Sequence, residues 1–380
     1  MEPLVFRKIT FLKPCGKCLF FFLLVALMGG LLLAWSGLYS VAASRGHWWG
    51  VDLFLKFGMR SSVRTHAIGI EAPNLDKVNL IQKGAKYFQI GCASCHGSPG
   101  RPASPLARTL LPEPPDLGTS IPTWKPNELF WIVKNGLKYT GMPAWPAQER
   151  DDEVWAVVAF LLRLPGMEAA EFTELSNSQV DMHLIPAAEF LGREPIGIIL
   201  STCSRCHGSN GMGISSGAFP RLDIQTADYL AQQLASYASG MRSSGVMQTA
   251  VAGINAESLG QIAEYYAKKP IDEPAGELSG FSSSTDQGHM LAHTGKPDEG
   301  LPACFSCHSV NPEKRNPLYP AIAGQYASYT TEQLILFKRG TRGATAASEI
   351  MTVIAQRMNA EQIEAVSNYL EQIKTMKTKP

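Results

Sequence analysis

The sequence predicts an all-α protein: an N-terminal transmembrane helix followed by three small helical domains of one kind. Three observations lead there. An uncharged, apolar stretch runs from Cys18 to Ser44. One pentapeptide pattern occurs three times, as "CASCH" at 92–96, "CSRCH" at 203–207 and "CFSCH" at 304–308. The segments around it show apolar residues at helical spacing and no sustained alternation of the kind a strand needs.

The N-terminal run comes first. Arg7, Lys8, Lys13 and Lys17 precede it, and about 20 apolar residues suffice to cross a bilayer. A positive flank stays in the cytoplasm, so the remainder is expected on the exported side. The reading is a basic cytoplasmic segment at 1–18, an anchor at 19–43 and a juxtamembrane segment at 44–76. A cleavable signal peptide is the competing reading, with Ser40-Val41-Ala42 as its cleavage site. Signal h-regions are usually about 7–15 residues, and this run is longer. Cys15 and Cys18 lie before the span and Leu19 follows them where the other pairs have histidine, so they read as reduced, inert thiols. Beyond the span, Trp48 and Trp49 suit a membrane interface. Leu53, Phe54 and Phe57 form one face of a short helix, either on that surface or packed on the first domain.

The 380 residues carry 34 basic and 33 acidic side chains, a balance that gives no basic face for nucleic acid. The pentapeptides divide the chain into domains at 77–172, 173–272 and 286–376, with a Gly-, Ser- and Pro-bearing linker at 273–285. The second and third are repeats. "FPRLDIQTADYLAQQL" (219–234) aligns with "YPAIAGQYASYTTEQL" (319–334), and "MQTAVAGINAESLGQIAEYY" (247–266) with "MTVIAQRMNAEQIEAVSNYL" (351–370). Their closing helices begin at the N-caps Asn255 and Asn359, the second with Gln362 completing a capping box. Pro270 stops the first of these. The first domain has its own version, "DDEVWAVVAFLLRLP", from Asp151 to the stop at Pro165.

The eight cysteines fall in four Cys-x-x-Cys pairs, three of them followed at once by histidine. Two cysteines two residues apart can form thioethers to the two vinyl groups of a haem, and a histidine next to the second then lies beneath the iron. A structural zinc site needs four nitrogen or sulfur ligands, and no segment offers a second pair. Three complete copies point to three covalently attached haem c groups, on Cys92 and Cys95, Cys203 and Cys206, and Cys304 and Cys307. The proximal iron ligands are His96, His207 and His308.

Methionines are the candidates for the sixth position. Met142 sits between Gly141 and Pro143. In the repeats, Met247 aligns with Met351, whereas Met241 falls opposite Thr341 and Met358 opposite Ile254. Met142, Met247 and Met351 are therefore the expected ligands, with Met358 assigned to the core. "PDL", "PRL" and "PAI" place Pro115, Pro220 and Pro320 after each motif. A rigid carbonyl there is expected to accept the Nδ1–H of the proximal histidine.

With these motifs, residues 77–376 resemble a membrane-anchored, multi-haem member of the class I c-type cytochromes. The first domain, with "ELFWIVKNGLKYTGMPAW", is similar to cytochrome domains attached to oxidases and periplasmic dehydrogenases. The other two are similar to the paired domains of dihaem cytochromes. The resemblance implies haem within a shell of helices and electron transfer without a bound substrate. The expected function is a single-pass inner-membrane protein with periplasmic haem domains. It would pass electrons between a quinol-oxidising complex or dehydrogenase and a terminal oxidase or reductase. Two alternatives remain: the cytochrome subunit of a periplasmic alcohol- or aldehyde-type dehydrogenase, and a haem peroxidase or reductase with one open iron. A haem-based sensor lacks any output domain.

Overall fold

The computed structural model describes residues 16–176, 195–214, 217–271, 283–342 and 346–373. Cys15 and the basic residues before it lie outside these, as does most of the expected linker; helix Ser283–His293 begins within that linker's span. Among the described residues every regular element is a helix, apart from isolated bridges joining Ser98 to Arg101 and Lys296 to Leu301. Residues up to Phe54 form one compact unit and those from Leu55 a second, which contains all three Cys-x-x-Cys-His motifs, each in its own motif-bearing segment, or domain.

The apolar run forms helix Gly16–Ser36, 21 residues with a mean hydropathy of 2.5 and no buried side chain. It starts slightly before the expected span and ends earlier, leaving 37–43 outside the helix. Helix Trp49–His66 follows, with Trp49, Leu53, Phe54 and Phe57 all exposed. Its last turns belong to the second unit and pack on the first domain. There the Arg60 guanidinium lies 5.2 Å from the Trp124 ring centre, and Val63 is fully buried.

Each motif-bearing domain is organised by its closing helix. In the first domain, helix Val78–Gly91 crosses helix Asp151–Leu161 at Gly84, where a Cβ would stand 1.8 Å from the Ala156 carbonyl oxygen. Phe88 and Phe160 pack with ring centres 5.1 Å apart beside this crossing. In the third, helix Ser283–His293 meets helix Ala360–Gln372 at Gly288, whose Cβ would lie 2.4 Å from the Ala365 carbonyl oxygen. Only a residue without a side chain lets the backbones approach so closely.

The expected caps are present. The Asn255 side chain accepts from the Ser258 N–H at 2.8 Å. Asn359 accepts from Gln362 N–H at 2.8 Å while the Gln362 side chain accepts from Asn359 N–H at 2.9 Å. The closing helices stop at Leu161 and Ala267, ahead of Pro165 and Pro270.

The second and third domains join through a reciprocal clamp. Gln225 donates to the Ala321 carbonyl and accepts from the Ala321 N–H, both at 2.9 Å. Gln325 does the same with Arg221, both at 3.0 Å. Arg242 donates to Tyr329 Oη at 3.2 Å, and Arg342 to Tyr229 Oη at 3.4 Å. Equivalent residues of the two repeats thus exchange equivalent bonds.

Two outcomes test this packing. Gly84→Ala should cost about 3 kcal/mol, the upper end for an inserted methyl that cannot be accommodated, read as a lower denaturation midpoint. Gln225→Ala should cost about 1–3 kcal/mol for each buried backbone group left unpaired at Ala321, and the Ala321 amide should lose protection from hydrogen exchange.

Candidate haem-attachment sites

Each motif lies in a turn of helix that spaces its two cysteines three residues apart. In the first, Cys95 N–H and His96 N–H both donate to the Cys92 carbonyl, at 3.1 and 3.0 Å. In the third, Cys307 N–H and His308 N–H donate to the Cys304 carbonyl at 3.3 and 2.9 Å. The second motif is the last turn of helix Pro195–His207. None of the six cysteines is in a disulfide. Burial pushes the thiols of Cys92, Cys206 and Cys304 up to about 11, so they are neutral rather than thiolates near neutral pH.

The histidines are held where the sequence suggested, two of them by direct bonds. His96 Nδ1–H donates to the Pro115 carbonyl at 3.1 Å, and His308 Nδ1–H to the Pro320 carbonyl at 3.0 Å. This fixes the Nδ1–H tautomer and leaves the Nε2 lone pair for a metal. His207 departs from the pattern: its Nδ1 is buried without a bond of ordinary geometry. Its ring stands instead between Phe219 and Tyr266, each with its centre 6.4 Å away in edge-on contact. Burial lowers its pKa to about 4 even though the Pro220 carbonyl raises it. Burial likewise lowers His308, with the Pro320 carbonyl opposing and Arg315 and Arg342 adding to the fall. Both imidazoles are therefore neutral near neutral pH, the form that binds metal.

The methionines occupy distinct settings. Met142 is half-buried against the first domain's core in a loop closed by Leu137 N–H donating to the Met142 carbonyl at 3.2 Å and Trp145 N–H to the Lys134 carbonyl at 2.9 Å. Met247 opens helix Met247–Val251 and packs against the second core. Met351 lies within helix Ala346–Arg357 and is half-buried. Met241 is 48% exposed, whereas Met358 is buried in the third core.

Sequence reasoning missed what lies between the domains. The sequence marks only a helix beginning at Asp151 and gives Arg150, Asp152 and Glu153 no role. In the structure they face the second and third domains. Glu153 is 1% exposed and accepts from Ser244 Oγ at 2.6 Å and from Gly245 N–H at 2.8 Å. Arg150 holds Asp152 with two hydrogen bonds, at 2.8 and 2.7 Å. Against burial, which raises it, that pairing draws the Asp152 carboxyl down to about 2. Lys83 reaches Glu332 of the third domain at 2.6 Å. The core of the first domain also continues into Phe219, Cys206 and Val246 of the second.

The first motif, with two free, half-buried thiols and an imidazole whose Nδ1 is already committed, fits a porphyrin held by two thioethers and one axial nitrogen. Known proteins agree. A family model described as cytochrome c oxidase, cbb3-type, subunit III matches residues 79–161, and one described as cytochrome c matches 301–374. The thiosulfate dehydrogenase electron acceptor of Thiomonas intermedia is 34% identical over 171 residues, 45% of this chain and 77% of that protein. Cytochrome c4 of Pseudomonas aeruginosa is 30% identical over 172 residues, 45% of this chain and 83% of that one. Reduced cytochrome c4 from Pseudomonas stutzeri, a crystal structure, aligns with a TM-score of 0.42 and 28% identity over 47% of this chain and 96% of its own. Both segments matched by family models contain a complete motif together with its closing helix, and the chain belongs to the class I c-type cytochromes, electron-transfer proteins that bind haem c covalently.

Proposed function

We propose that this cytochrome carries three haems and is anchored in the cytoplasmic membrane by helix Gly16–Ser36, with its haem domains in the periplasm. In this reading His96 pairs with Met142, His207 with Met247 and His308 with Met351 as axial ligands. Electrons pass from a quinol-oxidising complex or a dehydrogenase to a terminal oxidase or reductase. The observation that carries the proposal is the threefold recurrence of the complete motif on equivalent helical frames. The wholly exposed apolar helix supports the anchor.

Bound haem supplies the ferric–ferrous change. The chain's own residues orient and bury it. The proline carbonyls at 115 and 320 fix two imidazoles, and Tyr266 of the second closing helix lies against the remaining one, that of His207. Methionine in the sixth position raises the potential and leaves no vacant site for a small substrate. Its neighbours differ in how they hold that position.

The relatives favour a narrower version as well. One of them is named as the electron acceptor of thiosulfate dehydrogenase, and its match is long enough for two domain repeats. Here the donor is a periplasmic dehydrogenase acting on a small oxidisable anion. Rapid mixing with a purified thiosulfate dehydrogenase and thiosulfate should reduce the haems within turnover time; no reduction would remove this version and leave the quinol-linked one.

Intact mass spectrometry of membrane-purified protein should give three haems per chain with the N-terminal residues retained. Two haems, or a start near Ala43, would each overturn one part. Met247→Ala and Met351→Ala should each abolish about one third of the weak thioether-to-iron absorption at the red end of the spectrum, while Met241→Ala leaves it intact. Carbon monoxide binding to a full haem equivalent in undamaged protein would instead favour an open, catalytic iron.

A further inference from the structure

Two loops carry the proposed methionine ligands of the first and second domains, and both end on one carboxylate. Glu153 Oε2 accepts from Trp145 Nε1–H at 2.9 Å and from Gly245 N–H at 2.8 Å. Its Oε1 accepts from Ser244 Oγ at 2.6 Å and meets Arg150 Nη1 at 3.1 Å. Trp145 is three residues beyond Met142 in the same closed loop. Ser244 in turn accepts the Met247 N–H at 3.1 Å, so a single hydroxyl links the backbone of Met247 to a residue of another domain. Arg150 adds a bond to the Ser243 carbonyl at 2.7 Å.

The third domain shows what this segment does without such a neighbour. Ser348, Glu349 and Ile350 align with Ser244, Gly245 and Val246, and there the chain is already helical from Ala346 onward. In the second domain the helix starts only at Met247. Gly245 stands where the third domain has Glu349, and a Cβ at 245 would lie 2.4 Å from Trp145 Nε1. Val246 packs on the first domain's core, whereas Ile350 is 54% exposed. The first domain thus replaces a helical turn with a clamp immediately before the methionine.

We propose that Glu153 is a positioning residue shared by two methionine loops, holding Met142 through Trp145 and Met247 through Ser244 and Gly245. Ligation in the second domain then depends on docking of the first, and the third stands apart. This rests on the assignment of Met142 and Met247 as axial ligands. A buried carboxylate that satisfies four donors fixes one geometry for both loops. An alanine in its place leaves all four donors without this acceptor, on both sides of the contact.

The test is imidazole binding to the oxidised full-length protein, because imidazole enters only as a methionine leaves. A hydrogen bond to a charged group contributes about 1.5–3 kcal/mol, so Glu153→Ala should tighten imidazole binding about 10- to 100-fold at two haems and leave the third unchanged. Haems are identified against Met142→Ala, Met247→Ala and Met351→Ala. Ser244→Ala, which removes one hydroxyl and keeps the carboxylate, should affect only the haem lost in Met247→Ala. Trp145→Phe should affect only the haem lost in Met142→Ala. Unchanged affinity in Glu153→Ala and Ser244→Ala, or an equal rise at all three haems, would overturn the proposal. If Met247→Ala itself leaves the thioether absorption intact, the ligand assignment fails instead.

Discussion

An imidazole offers a metal one nitrogen in a chosen direction only when its other nitrogen is held. In the first and third domains that hold is a hydrogen bond to a proline carbonyl. Proline suits the task because its fixed φ keeps the loop from turning the carbonyl away. The rest of each domain sets where that loop can be. A glycine crossing brings the entry helix against the closing helix, and the motif sits just beyond the entry helix. In the second domain no bond of ordinary geometry forms, though the Pro220 carbonyl lies close enough to raise the His207 pKa, and two aromatic rings flank the imidazole.

The second domain is held from two sides by different chemistry. Its proline-bearing loop is joined to the third domain through neutral amides, Gln225 and Gln325. Its methionine-bearing loop is joined to the first domain through buried charge, centred on Arg150 and Glu153. Apolar contact alone would permit sliding. Directional polar contacts, each costly to leave unmade, select one arrangement. Lys83 and Glu332 complete the set by joining the first domain to the third.

Much of this was legible in the sequence because it is local. The motif turns, the caps at Asn255 and Asn359, the proline acceptors and the burial of Met358 all follow from spacing or from repeat register. What was not legible depends on partners far away in the chain. Glu153 looks like any acidic residue in the first turn of a helix, where it is favourable to the helix dipole, and nothing nearby announces Ser244. Gln225 and Gln325 did carry a signal: an amide at the same position of both repeats, in a loop where most polar residues would serve. Gly84 was hidden because a glycine within a helix has many explanations until the crossing partner is known. His207 shows a local rule only partly met: Pro220 follows the motif as expected, but its carbonyl does not reach Nδ1 in ordinary hydrogen-bond geometry.

The amide clamp between the second and third domains has a consequence for how such a chain arises. Each half supplies both the glutamine that reaches across and the backbone that receives it, so the surface is complementary to itself. That is the definition of an isologous contact, the kind that pairs identical subunits about a two-fold axis. A single domain bearing this loop presents both halves of that contact. Duplication of its gene then turns an association that depends on concentration into one that a short stretch of chain enforces. The first domain, lacking the paired glutamine, meets this pair differently, through buried charge and a shared apolar core.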